Sequence, residues 1–145
     1  MVRGRRSVLA LTLSCAVLFC YASQGDLVVV VNVDNPVNQL SKSQVIDLFM
    51  GKYVAFPGGT KASPIDIEGK KDLKRKFYQS LVGMSLARVN SFWSRIKFTG
   101  RASPPLKQPS EEAIIDYVVV EKYAIGYISR ENLNNKLKVV FEFNE

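Results

Sequence analysis

The residues best suited to chemistry stand together in Asp66-Ile67-Glu68-Gly69-Lys70-Lys71-Asp72-Leu73: two carboxylates closing a short strand-like run, then a glycine and two lysines where a helix begins. The first N–H groups of a helix have no intrahelical acceptor, and the helix dipole adds positive potential beside them. Gly69, Lys70, Lys71 and Asp72 are therefore the candidate ligand-binding turn, suited to a small anion. The plain alternative is a solvated helix start whose lysines stand in water, where such charges contribute little. Asp34, Asp66 and Glu68 could meet at strand ends as an acid/base pair or a hard-cation site, although loop carboxylates usually do neither. The chain has no histidine, and both cysteines, Cys15 and Cys20, lie in its apolar N-terminal run. The usual zinc sets and nucleophile–base pairs thus lack their donors. No catalytic residue, metal ligand or cofactor is assigned, and the expected function is not enzymatic.

The elements that must position this turn follow from period and punctuation. Leu27-Val28-Val29-Val30-Val31-Asn32-Val33 is short, almost wholly β-branched and bounded by Gly25-Asp26 and Asp34-Asn35-Pro36, which predicts a central strand covered on both faces. Ser41 and Gln44 have capping-box spacing, Leu40 and Val45 that of a hydrophobic staple, so a helix starts at Ser41 and stops at Gly51. In open α/β sheets ligands usually bind where strand turns into helix, so both this junction and the one after Ile67 attract notice. Pro64-Ile65-Asp66-Ile67 reads as the second strand; Leu73, Phe77 and Leu81 then mark a helix that Gly83 closes. Ser85 caps a helix with Leu86, Val89, Phe92, Trp93 and Ile96 on one stripe, which makes the two aromatics core residues, and Gly100 ends it.

Thr99 to Pro109, with three prolines, is expected to be an extended loop. Ser110, Glu111 and Glu112 look like a cap and an acidic first turn, and they decide the β-branched run through Val120 in favour of helix. Ala124-Ile125-Gly126-Tyr127-Ile128 is a short strand whose glycine implies close packing, and Lys136 to Phe143 alternates like an edge strand with its charges outward. No repeat or linker divides these elements.

The N-terminus has its own logic. Arg3, Arg5 and Arg6 precede an apolar run from Val8 to Ala22, with small residues after it, which is the pattern of a secretory signal and is too short for a confident membrane span. Residues 1–25 are accordingly expected to be a signal peptide and 26–145 one domain, periplasmic or secreted, with no stable membrane insertion after cleavage. With those three arginines set aside, 17 basic residues face 13 acidic ones, about +4 against +7 for the whole chain. That mild excess suits a protein that meets anions and equally a plain soluble surface. The lysine-rich run from Lys70 to Lys76 carries no nucleic-acid motif, and no nucleic acid is expected as a partner.

Three segments carry a resemblance. Val30-Val31-Asn32-Val33-Asp34-Asn35-Pro36-Val37 with Leu40-Ser41 and Asp47-Leu48-Phe49-Met50-Gly51-Lys52 is the first; Phe92 to Gly100 with Pro104-Pro105 is the second; Ala124 to Ile128 is the third. Together they resemble the PstS-like substrate-binding proteins of phosphate ABC transporters, a branch of the periplasmic binding proteins. The resemblance implies an α/β fold, a mixed and mostly parallel sheet flanked by helices, forming one lobe of a type II periplasmic-binding-protein fold. It implies a solute-binding role linked to uptake, with phosphate or a similar small oxyanion as ligand.

In that family the strand matching Pro64–Ile67 leads into an arginine and a Gly/Ser/Thr-rich turn that holds the phosphate. Here Asp66 and Glu68 bring negative charge to that place, and Lys70 and Lys71 stand where small hydroxyl residues would be. The binding expected of Gly69, Lys70, Lys71 and Asp72 is consequently weak. The alternative is an interaction or structural protein that uses the exposed face of the lobe to bind another protein or a second copy of itself.

Overall fold

A computed structural model describes residues 26–68 and 71–143, with only the backbone of Lys71. Among them the sheet is five-stranded, with strands β1 (Leu27–Asn32), β2 (Ser63–Ile67), β3 (Leu106–Gln108), β4 (Ala124–Ser129) and β5 (Leu137–Glu142) in the order β3-β2-β4-β1-β5. β2 is parallel to β3 and to β4, while β1 is antiparallel to β4 and to β5. Four strands therefore point one way and β1 alone runs against them. The fold is α/β with a mixed, mostly parallel sheet. Every residue of β1 is buried, as its β-branched composition predicts for an inner strand.

Adjacent residues of β4 show how the layers are arranged, because neighbours on a strand point to opposite faces. Gly126 faces helix α4 (Glu111–Val120): a Cβ there would stand 2.6 Å from Ile114 Cγ2, so only glycine lets the helix lie this close. Tyr127 faces the other layer, where its ring stacks on Phe77 of α2 (Lys71–Val82) at 3.9 Å and meets Phe49 of α1 (Lys42–Phe49) edge-on. Helix α3 (Leu86–Thr99) packs beside α2. The sheet is thus covered on both faces, with the aromatic cluster of Phe49, Phe77 and Tyr127 at the centre of one.

Local signals account for the helix ends. Ser41 and Gln44 form both bonds of the capping box, and Leu40 and Val45 are buried as a staple requires. Ser85 and Ser110 each accept a hydrogen bond from the third backbone N–H of their helix. Gly51 follows α1 at φ 71°, and a Cβ on it would meet Trp93 Cη2 at 2.7 Å, so turn and packing both require glycine. On the α3 stripe Val89 and Trp93 are buried, whereas Leu86, Phe92 and Ile96 are only partly covered.

Two expectations about irregular segments need correction. The Thr99–Pro109 stretch contains β3, a three-residue edge strand that pairs Leu106, Lys107 and Gln108 with Ile65, Asp66 and Ile67. β5 lies at the other edge as expected, but it does not alternate throughout. Val29 pairs with Phe141 and Val30 with Val139, so Val140 is an extra residue in a β-bulge, and the buried side chains become Leu137 and Val140. The Val140 carbonyl accepts instead from Leu40 N–H at 2.8 Å, just before the α1 cap. Residues 1–25, including the expected signal, lie outside the described residues, and no helix among those described is long and apolar enough to cross a membrane.

Candidate functional site

Strand direction separates the two strand-to-helix junctions. Val31 of β1 pairs with Ile125, at the start of β4, and Ser63 and Pro64 at the start of β2 lie beside Ala124 and Ile125. The exit of β1 is therefore at the end of the sheet where β2 and β4 begin, and the exit of β2 is at the opposite end. Asp34, exposed after β1, cannot join Asp66 and Glu68, so the three carboxylates form no shared site. The Asn32 side chain fixes the geometry of the β1 exit locally: its Nδ2 donates to the Val118 and Val119 carbonyls at 3.2 and 2.8 Å, and its Oδ1 accepts from Asp34 N–H. Asn35 adds a bond to the Lys122 carbonyl. These bonds tie the loop to the end of α4 and leave that junction a structural one.

The candidate turn stands at the β2 exit. Gly69 and Lys70 lie outside the described residues, and Lys71 opens α2 with its backbone. Asp72, in the first turn, is almost fully exposed and accepts from Arg75 Nη1 at 2.6 Å, a surface i,i+3 pair. At the same end of the sheet Glu111, wholly buried in the first turn of α4, accepts from Ser129 N–H at 2.6 Å and Asn132 Nδ2 at 2.8 Å. It ties the end of β4 to α4, a role that its sequence neighbourhood, a capped acidic turn, does not reveal.

Asp66 behaves differently from expectation. It is 4% exposed and points under α2. Two successive turns of α2 bring Lys74 and Tyr78 to it, and β4 brings Tyr127. Lys74 Nζ lies 2.9 Å from Oδ2, Tyr78 donates its hydroxyl to Oδ2 at 3.1 Å, Tyr127 donates to Oδ1 at 2.5 Å, and Ile67 N–H also donates to Oδ1 at 2.8 Å. Burial pushes both phenols well above their usual value, and the adjoining carboxylate pushes them further. The negative charge of Asp66 is thus compensated inside the domain. The i,i+4 spacing of Lys74 and Tyr78, beside the apolar Phe77, is the sequence signal that points to this cluster.

Beside the cluster lies a cavity of about 370 Å³ between α2, α3 and the approach to β3. Val89, Trp93, Pro104 and Pro105 give it apolar walls, while Lys97 and Lys107 stand at its edge. The Trp93 indole N–H is buried with no acceptor among the described residues. No group of three or more acidic, cysteine or histidine residues among them could hold a metal ion.

No family model and no curated protein matches the chain. Solved structures do resemble it. An ABC-type phosphate transport receptor from Vibrio cholerae aligns over 81% of this chain and 45% of its own, at 20% identity and a TM-score of 0.62. A substrate-binding protein of Clostridium perfringens with bound phosphate aligns over 81% and 44%, at 17% identity and 0.63, and PstS from Borrelia burgdorferi over 80% and 46%, at 14% and 0.55. The chain spans less than half the length of these proteins, and at such identities the likeness is one of fold.

Proposed function

We propose that this chain is a non-enzymatic solute-binding lobe, exported to the periplasm or secreted, that takes phosphate or another small oxyanion weakly at the N-terminus of α2. Gly69, Lys70, Lys71 and Asp72 form the contact turn. The observation that carries this reading is the start of α2 directly beyond the carboxyl end of β2, in a fold like that of a phosphate transport receptor. A helix terminus contributes about 0.3–1 kcal/mol to an exposed anion, and surface lysines add a screened attraction. Lys74 and two phenols compensate Asp66, although exposed Glu68 still offsets part of the gain. The expected affinity for inorganic phosphate is about millimolar, equivalent to roughly 4 kcal/mol.

Calorimetry of the mature protein with inorganic phosphate tests this. Binding should weaken with added salt and with Lys70→Ala/Lys71→Ala. Absence of heat at phosphate concentrations well above millimolar, or binding indifferent to the double substitution, refutes it. A second reading is favoured by one observation: an exposed Glu68 directly follows β2, where the resemblance calls for a phosphate-binding arginine. On that reading the lobe face is covered by another protein or by a second copy, and phosphate produces no heat.

A further inference from the structure

We propose that the cavity between α2, α3 and the approach to β3 is a second ligand site, which takes a small organic anion with a compact apolar body. This does not rest on the oxyanion reading of the α2 terminus. Asn90, Trp93, Ser94 and Lys97 recur at i, i+3, i+4 and i+7, so a single face of α3 lines one space, with the Ser94 hydroxyl donating to the Asn90 carbonyl at 2.9 Å. Pro104 and Pro105 form part of the facing wall, where fixed φ makes the surface stiff.

The charge balance selects an anion. Lys74 is held by Asp66 at 2.9 Å, and the carboxylate oxygens of Asp66 are themselves occupied by Lys74, Tyr78, Tyr127 and an amide. Lys97 and Lys107 have no acidic partner among the described residues, which leaves two uncompensated ammoniums at the cavity edge. Trp93 lines this space with its ring, while its indole N–H is itself buried.

Size selects the body. At about 370 Å³ the cavity has room for roughly a dozen waters at ~30 Å³ each, so a bare oxyanion would leave it mostly wet and its apolar wall unused. The volume falls within the range of small-molecule sites, about 300–1,000 Å³. Val89, Trp93 and the two prolines would cover an apolar body while Lys97 and Lys107 meet its anionic group.

Trp93 is the only tryptophan, so its emission reports on this cavity directly. Phenyl phosphate and benzoate are the probes, with inorganic phosphate and benzyl alcohol as controls that carry only the charge or only the ring. A saturable change in Trp93 emission is expected with at least one organic anion, at a concentration at least tenfold below that needed with either control. Lys97→Gln/Lys107→Gln should raise the half-saturation point tenfold or more, and Lys70→Gln/Lys71→Gln should leave it unchanged. Lys97 and Lys107 are exposed, so their exchange leaves the core intact, which circular dichroism verifies. No saturable response, a response equal to that of benzyl alcohol or inorganic phosphate, indifference to the Lys97/Lys107 pair, or loss with the Lys70/Lys71 pair overturns the proposal.

Discussion

Raising the pH past the ordinary phenol range should unfold this domain with a slope that two tyrosines set. Tyr78 and Tyr127 are fully buried and both donate to Asp66, and desolvation and that carboxylate push their folded-state values well up. In the unfolded chain the same phenols lose their protons near pH 10. Above about pH 10 the unfolded state therefore binds two fewer protons than the folded state, and the free energy of unfolding falls as pH rises. The stabilising contribution is complete below about pH 10 and declines above it. Each tyrosine contributes about 1.4 kcal/mol per pH unit, so the pair removes about 2.7 kcal/mol per unit. Set against the 5–15 kcal/mol typical of a domain, this is a steep loss. Urea titrations between pH 8 and 12, followed by circular dichroism, measure the slope. Tyr127→Phe should halve the tyrosine part of it, and the difference between the two proteins isolates that part from all other titrations. Identical slopes for wild type and Tyr127→Phe would refute the buried Asp66–Tyr127 pairing.

Two packing predictions accompany it. Trp93 is 9% exposed and its ring edge fills the space over Gly51, so Trp93→Ala should destabilise by about 3–5 kcal/mol in chemical denaturation, and a loss below about 1 kcal/mol would place the indole on the surface. Gly126→Ala should cost about 1–3 kcal/mol through the 2.6 Å approach to Ile114 Cγ2, and Ile114→Leu, which removes that methyl at constant volume, should restore part of it; a double variant no more stable than Gly126→Ala would place the conflict elsewhere.

What the sequence makes legible here is whatever short-range chemistry decides. The Ser41/Gln44 box, the caps at Ser85 and Ser110, the αL glycines and the buried valines of β1 are each specified within a few residues, and each is found in place. The cap of Ser110 and its acidic first turn prevail over the strand propensity of Val118-Val119-Val120, because α4 can bury Ile114 and Val118 against β4. Features that depend on partners far along the chain are not legible in this way. β3 is three residues with an exposed Leu106 and exists only because β2 lies beside it. The bulge at Val140 answers to β1, which is about a hundred positions away in sequence. Strand direction has the largest effect on the site: nothing local to Leu27–Asn32 states that it runs against its neighbours, yet that alone places Asp34 and Glu68 at opposite ends of the sheet.

Asp66 links the two candidate sites. A carboxylate buried in β2 is tolerable only if its charge is met, and α2 meets it from its second turn with Lys74 and from the next with Tyr78. The same contacts fix α2 against the strand, and with it the direction in which the free amides of its first turn point. They also withdraw Lys74 from any ligand. A lysine placed four residues into such a helix would otherwise be a largely buried cation in the cavity wall. With Lys74 committed, the helix terminus is left with amides and the exposed side of its turn, a weak and salt-sensitive attractor for a small ion. The cavity behind it is left with Lys97, Lys107 and apolar walls, which suit a larger anion. Breaking the pair therefore bears on both sites in opposite ways: Asp66→Asn would release Lys74 beside the cavity and strengthen anion binding there, while loosening the support that orients the α2 terminus.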